Sequence, residues 1–157
     1  MQKITPFLWF NDKAEEAMNF YTSVFKNSKV LGVNHYGEGA PLPKGTVMTA
    51  SFELEGMPFT ALNGGPLYNF TQAVSFVINC ENQEEVDYYW DKLSEGGVPN
   101  QCGWLADKFG LPWQVVPTVL PQLLSNPDPA KAQRVMMAMM QMKKIVIADL
   151  EAAANQA

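Results

Sequence analysis

The chain has 157 residues, 47% apolar and 11% aromatic, enough to bury a core, which excludes intrinsic disorder and dependence on a disulfide scaffold. Its formal charge of −5 provides no basic surface for neutralising phosphates, so nucleic acid is excluded as a partner. Cys80 and Cys102 form no CxxC pair, and neither a signal-like start nor a membrane-length apolar run is present, so the expectation is a cytoplasmic protein with ordinary thiols.

Residues 4–10 are apolar and β-rich and lead into Asn11-Asp12, after which Ala14, Ala17, Met18, Tyr21, Val24 and Phe25 recur at helical spacing. Asp12 with Glu15 three residues later resembles a capping box, so the chain is predicted to open with a strand and a capped helix. Residues 29–36, 46–54 and 58–62 read as three further strands. The Gly- and Pro-rich stretch 37–45 divides the first two, and Glu55-Gly56 turns between the last two. The first half is therefore βαβββ.

The pattern then restarts. Residues 73–79 form another apolar strand, Asn82 and Glu85 repeat the cap, and Val86, Tyr89, Trp90 and Leu93 mark the inward side of a helix that stops at Gly96-Gly97. Ala17, Phe20, Tyr21 and Val24 match those four at one fixed offset. Leu111-Pro112-Trp113-Gln114-Val115-Val116 likewise parallels Met57-Pro58-Phe59-Thr60-Ala61-Leu62, so an internal duplication is the economical explanation. Between residues 99 and 110 there is room for one good strand and a short second one, which makes the second module a trimmed βαβββ. Further on, Asp128 caps and Pro129 opens a helix with Ala132, Val135, Met136, Met139 and Met140 on one side, and residues 147–154 form a shorter closing helix. The expected class is α+β, a single domain over residues 1–157, with modules at about 1–66 and 71–120 and a helical tail over 121–157.

Paired βαβββ modules covering nearly all of residues 3–120 resemble the vicinal oxygen chelate (glyoxalase/bleomycin-resistance) superfamily. The stretches ITPFLWFNDKAEEAMNFYTSVF, FTALNGGP, EEVDYYWDKLSEGG and CGWLADKFGLPWQVVP are similar to its PhnB-like group, often labelled 3-demethylubiquinone 3-methyltransferase. The resemblance implies a half-open, cup-shaped sheet made by the two modules, and a homodimer. In the best-known members it also implies a divalent metal held at four positions on the first and last strands of each module. Carried over by strand phase and internal repeat, those positions are Thr5, Thr60, Ala73 (Val74 if the register slips by one) and Gln114. Imidazole and carboxylate donors are wanted there, and only Gln114 is of a type that coordinates, so the expectation is no standard metal site and no cofactor. The methyltransferase label would require a strand, a Gly-rich turn and a helix for S-adenosylmethionine. Gly64-Gly65 instead precedes Pro66 and a polar loop and reads as a turn.

If Thr5 faces the cup, alternation turns Phe7 and Trp9 the same way, with Leu62 and Val116 beside Thr60 and Gln114. An aromatic, apolar wall with a few polar groups describes a small-molecule site, a filled core being the other reading. The candidate ligand-binding residues are Thr5, Phe7, Trp9, Thr60, Leu62, Asn63 and Gln114. Asn63, at a strand end, either caps the loop that follows or reaches a ligand at the rim. His35, the sole histidine, is either a general base with a neighbouring carboxylate or a surface residue. Trp104 and Trp113 either wall the site or pack beneath helices, while Glu53 and Glu55 are expected to meet solvent. Met136, Met137, Met139, Met140 and Met142 offer a flexible apolar surface suited to a second subunit. The function expected is that of a PhnB-like small-molecule-binding protein. The alternative is a divalent-metal-dependent lyase, isomerase or dioxygenase, and no catalytic residue is assigned.

Overall fold

The computed structural model describes residues 2–156, in two compact units that divide between Phe70 and Thr71. The first unit contains β1 (Phe7–Phe10), α1 (Ala14–Val24), β2 (Ser28–His35), β3 (Val47–Leu54) and β4 (Met57–Asn63). They form one sheet of order β1-β4-β3-β2, in which β1 runs parallel to β4 and the other pairs are antiparallel. Period-two alternation sends Leu8, Phe10, Ala50, Phe52, Phe59 and Ala61 into a core with Ala17, Met18, Tyr21 and Val24 of α1. Phe52 stacks on Phe59 at 5.5 Å, and Tyr21 and Phe52 are fully buried, each contributing roughly 1.5–3 kcal/mol of burial. Glu55 and Gly56 both take positive φ, 49° and 80°, as a two-residue hairpin with right-handed twist requires.

The capping box expected at Asp12 and Glu15 does not form. α1 starts at Ala14, Lys13 occupies the N-cap without a side-chain bond, and Asn63 Oδ1 accepts from the Ala14 amide at 2.8 Å instead. The parallel register explains this, because Asn63 lies level with Phe10, where the chain leaves β1 for the helix. β1 is also shorter than expected: its ladder begins after Pro6, whose carbonyl accepts from the Thr60 amide at 3.0 Å.

The second unit repeats the plan with β5 (Phe76–Cys80), α2 (Gln83–Ser94), β6 (Val98–Pro99), β7 (Trp104–Ala106) and β8 (Pro112–Pro117). The sheet order β5-β8-β7-β6, with the parallel pair in the same place, is that of the first unit, as a duplication demands. β6 and β7 hold only two and three residues, so the module is trimmed as expected. Here the cap does form: Asn82 Oδ1 accepts from the Glu85 amide at 2.9 Å, and Glu85 Oε1 reaches one residue beyond the usual box to accept from the Glu81 amide at 2.8 Å.

The tail folds as α3 (Val119–Leu124), which the sequence reading did not anticipate, α4 (Pro129–Met140) and α5 (Ile147–Ala154). Asp128 caps α4 with Pro129 at its start, as expected. Leu120, Val135, Ile145, Leu150 and Ala154 form the tail core, with Met139 and Met142 packed against it. Met136 and Met140 do not join the inward stripe of α4. They are 41% and 57% exposed, because Ala132, Val135 and Met139 define the packed side. Three side chains strap the tail down. Gln83 Oε1 accepts from the Ile147 amide at 2.7 Å and so caps α5, Lys144 pairs with Asp87 at 2.9 Å, and the Arg134 guanidinium donates to the carbonyls of Ala153, Ala154 and Gln156. Among the described residues no helix is long and apolar enough to cross a membrane.

Candidate functional site

Each sheet packs its helix on one face and turns the other away. In the first unit, the pairs Phe7 with Thr60 and Trp9 with Leu62, then Thr49 with Leu62 and Ser51 with Thr60, put these six side chains on the face opposite α1. Phe7 is 59% exposed and the other five are half-buried. Aromatic surface thus lies along β1 and a hydroxyl group along β3 and β4, where Ser51 Oγ and Thr60 Oγ1 stand 3.4 Å apart and Thr49 Oγ1 accepts from Asn34 Nδ2 at 3.2 Å.

The loop after β4 fixes Trp9. Its indole Nε1 donates to the Gly65 carbonyl at 2.9 Å, Tyr68 meets the ring edge-on at 5.0 Å, and a Cβ on Gly64 would collide with the ring. Gly64-Gly65 is therefore the seat of an indole, with Gly65 at φ 92°, and it is not followed by a helix that could receive the phosphates or carboxylate of a cofactor. This loop does not fit an S-adenosylmethionine site.

Of the sequence-predicted residues, Phe7, Trp9, Thr60 and Leu62 come together on this face. Asn63 does not join them. It is 4% exposed and points to the helix side, where Nδ2 donates to the Val47 carbonyl at 3.0 Å, Oδ1 takes the Ala14 amide, and its own carbonyl accepts from the Tyr36 hydroxyl at 2.7 Å. Thr5 is exposed and precedes the ladder.

Gln114 belongs to the second unit, on the face opposite α2, level with Val77 and Trp104, while Val116 lies level with Asn79. Its Nε2 donates to Ser75 Oγ at 2.9 Å. Ser75 precedes Val77 by two residues, as Thr5 precedes Phe7, and Val77 and Phe7 pair with Gln114 and Thr60. The second-module counterpart of Thr5 is therefore Ser75, a correction to Ala73 or Val74, both of which are exposed ahead of β5.

Trp113 is buried on the α2 side. Its indole donates at 2.9 Å to Asp107 Oδ2, and Asp107 Oδ1 accepts from the amides of Phe109 and Leu111, so the buried carboxylate closes the β7–β8 turn. Trp104 stays half-buried on the other face. Glu53 pairs with Lys29 at 3.8 Å, Glu55 sits in the hairpin turn, and His35 is exposed at the end of β2. The Cys80 thiol is buried and pushed up to about 12, by desolvation first and by the charge of Glu85 second, which makes it a poor nucleophile. A cavity of about 450 Å³ opens where α2 and α5 begin, lined by Glu81, Gln83, Val119, Val146, Ile147 and Glu151, and contains none of the predicted residues.

At the four positions to which the resemblance assigns a metal stand Thr5, Thr60, Ser75 and Gln114, three neutral hydroxyls and an amide. Such donors do not fit a zinc, nickel, manganese or iron centre. Among the described residues no group of three or more His, Cys, Asp and Glu side chains could hold a metal ion.

The sequence profile of the 3-demethylubiquinone-9 3-methyltransferase family matches residues 2–116. The PhnB protein of Bacillus cereus is 41% identical, with a TM-score of 0.66 over 74% of this chain and 100% of that one. A Pseudomonas aeruginosa protein of 21% identity has a TM-score of 0.62 over 74% of this chain and 98% of its own. A point mutant of the fosfomycin resistance protein FosX of Listeria monocytogenes, in complex with Mn(II) and 1S,2S-dihydroxypropylphosphonic acid, has a TM-score of 0.55 at 19% identity, over 80% of this chain and 100% of its own. No curated protein matches the chain.

Proposed function

The chain belongs to the 3-demethylubiquinone-9 3-methyltransferase family, the PhnB-like group of the vicinal oxygen chelate superfamily, and on that premise we propose that it binds a small, partly apolar organic molecule without a metal. The observation that carries this reading is the register of β1 on β4, which aligns Phe7 and Trp9 with Thr60 and Leu62 on a face that α1 does not cover. Aromatic surface beside a few hydrogen-bonding groups is the usual make-up of a small-molecule site. In the second unit Gln114, Val77 and Trp104 form the corresponding face, with Gln114 as a ligand contact on that face, and in the first unit the reading extends to Thr5 at the mouth of β1. Asn63 acts behind this face by holding the start of α1. The family's name speaks of methyl transfer, and the seating of Trp9 on Gly64-Gly65 argues against a methyl-donor site in that loop. A cytoplasmic homodimer, with the exposed Met136, Met137 and Met140 available to a second subunit, completes the proposal.

The test is ligand-induced change in tryptophan fluorescence and melting temperature over a library of small aromatic and alicyclic compounds. Saturable binding that Trp9→Ala weakens tenfold or more is the expected result. Binding of every hit unaltered by Trp9→Ala and Thr60→Val would remove this face from the account.

A further inference from the structure

We propose that this face selects an uncharged, flat molecule bearing neutral hydroxyl or carbonyl groups. The inference rests on the reading just given and names its ligand class. The four strands of the first sheet hold three titratable side chains, Lys29, Glu53 and His35. Lys29 and Glu53 stand opposite each other in the β2–β3 ladder and pair at 3.8 Å, so together they carry no net charge, and His35 is the last residue of β2, past an irregularity in the register. The aromatic and hydroxyl-bearing middle of the face, on β1, β3 and β4, thus has no charge free to receive a carboxylate, phosphonate or ammonium group. Placing an ion against half-buried Trp9 and Leu62 would remove part of its hydration with no counter-charge in return.

The hydroxyls of that middle region are suited to neutral oxygens. Each can donate one hydrogen bond and accept two. Thr49 already accepts from Asn34, which leaves its own O–H to donate. Ser51 and Thr60 share one long contact of 3.4 Å, in which one O–H is used and the other is left over. Two donors, and a larger number of lone pairs, are therefore left for the neutral hydroxyl or carbonyl groups of a ligand, while Trp9 and exposed Phe7 supply flat surface for an aromatic or planar conjugated body. Thr49 and Ser51 are binding residues on this account.

Thermal shift and calorimetric titration with matched trios of compounds test it. Each trio shares one body of one to three rings and differs in a single group, as tyrosol, 4-hydroxyphenylacetate and tyramine carry a hydroxyl, a carboxylate and an ammonium at the same place. Wild type and the Trp9→Ala, Ser51→Ala and Thr60→Val variants are compared. Among compounds whose binding requires Trp9, the neutral member should bind at least tenfold more tightly than either charged sibling, and Ser51→Ala should weaken the neutral member several-fold. A charged sibling that binds as tightly as the neutral one, while still requiring Trp9, overturns the ligand class and leaves the face as the site. If no compound in the panel requires Trp9, the underlying reading falls and this inference with it.

Discussion

At Asn63 one amide side chain joins three elements, accepting from the first amide of α1, donating to the carbonyl that starts β3, and doing both from the last residue of β4. Asn63→Ala leaves a buried N–H and a carbonyl without partners and should cost about 1–3 kcal/mol, read as a lower urea midpoint. Asn63→Asp keeps the acceptor for the Ala14 amide but turns a buried carboxylate oxygen towards the Val47 carbonyl, and should lose at least as much. An alanine variant as stable as the parent would show that something else holds the helix start. Cys80 makes a second prediction at this scale. Its thiol is raised from 9.0 to about 12 mainly by burial, so the fold favours the neutral form. A raised pKa stabilises fully below the unfolded value and is lost as pH climbs through the folded one. The melting-temperature advantage of the parent over Cys80→Ala should therefore hold up to about pH 9 and shrink between pH 9 and 12. A gap that stays constant across that window would contradict the burial of the thiol.

Among the elements, those announced by strong periodicity were legible, and those decided by tertiary contact were not. Period-two alternation in residues 57–62 puts Thr60 and Leu62 on one face, and the structure has both opposite α1 with Phe59 and Ala61 buried beneath, because a strand with one covered face cannot slip by a residue without exposing its core. The same cap pattern at Asp12 and Asn82 led to different outcomes. Asn82 caps locally through the Glu85 amide, whereas at α1 the parallel neighbour β4 delivers Asn63 first, a contact between residues 49 positions apart. α3 escaped notice because six residues with a proline inside show too little period. The turn between β7 and β8 matches the ADKFGLPW part of the family-like motif, and its geometry is structural: Asp107 holds two amides and the Trp113 indole. Asp107→Asn can keep the two amides only by presenting an NH2 group to the indole N–H. The variant should lose about 1–3 kcal/mol of stability in chemical denaturation, with Trp113 emission shifted to the red. A parent-like midpoint would mean that the turn does not depend on the carboxylate.

For the whole molecule, the duplication was the most legible feature, since the repeat of β1-β4-β3-β2 as β5-β8-β7-β6 follows from helices and last strands matching in sequence. The candidate site was legible in part. Phe7, Trp9, Thr60 and Leu62 followed from alternation once the strands were placed. Ser75 is hidden in the sequence because the chain from residue 73 already reads as strand, whereas β5 starts at Phe76. Thr49 and Ser51 carry no such signal, since the resemblance points to the first and last strands of each module, and only the β3–β4 register shows that they share the face. Metal content tests most directly the claim that the organic ligand is bound without a metal. Protein purified with neither chelator nor histidine tag should contain well under one equivalent of any divalent ion, and a panel of manganese, zinc, nickel, cobalt and iron(II) should leave its melting temperature unmoved. A near-stoichiometric metal, with stabilisation by that same ion, would contradict the account and restore a metal-dependent enzyme as the reading to pursue.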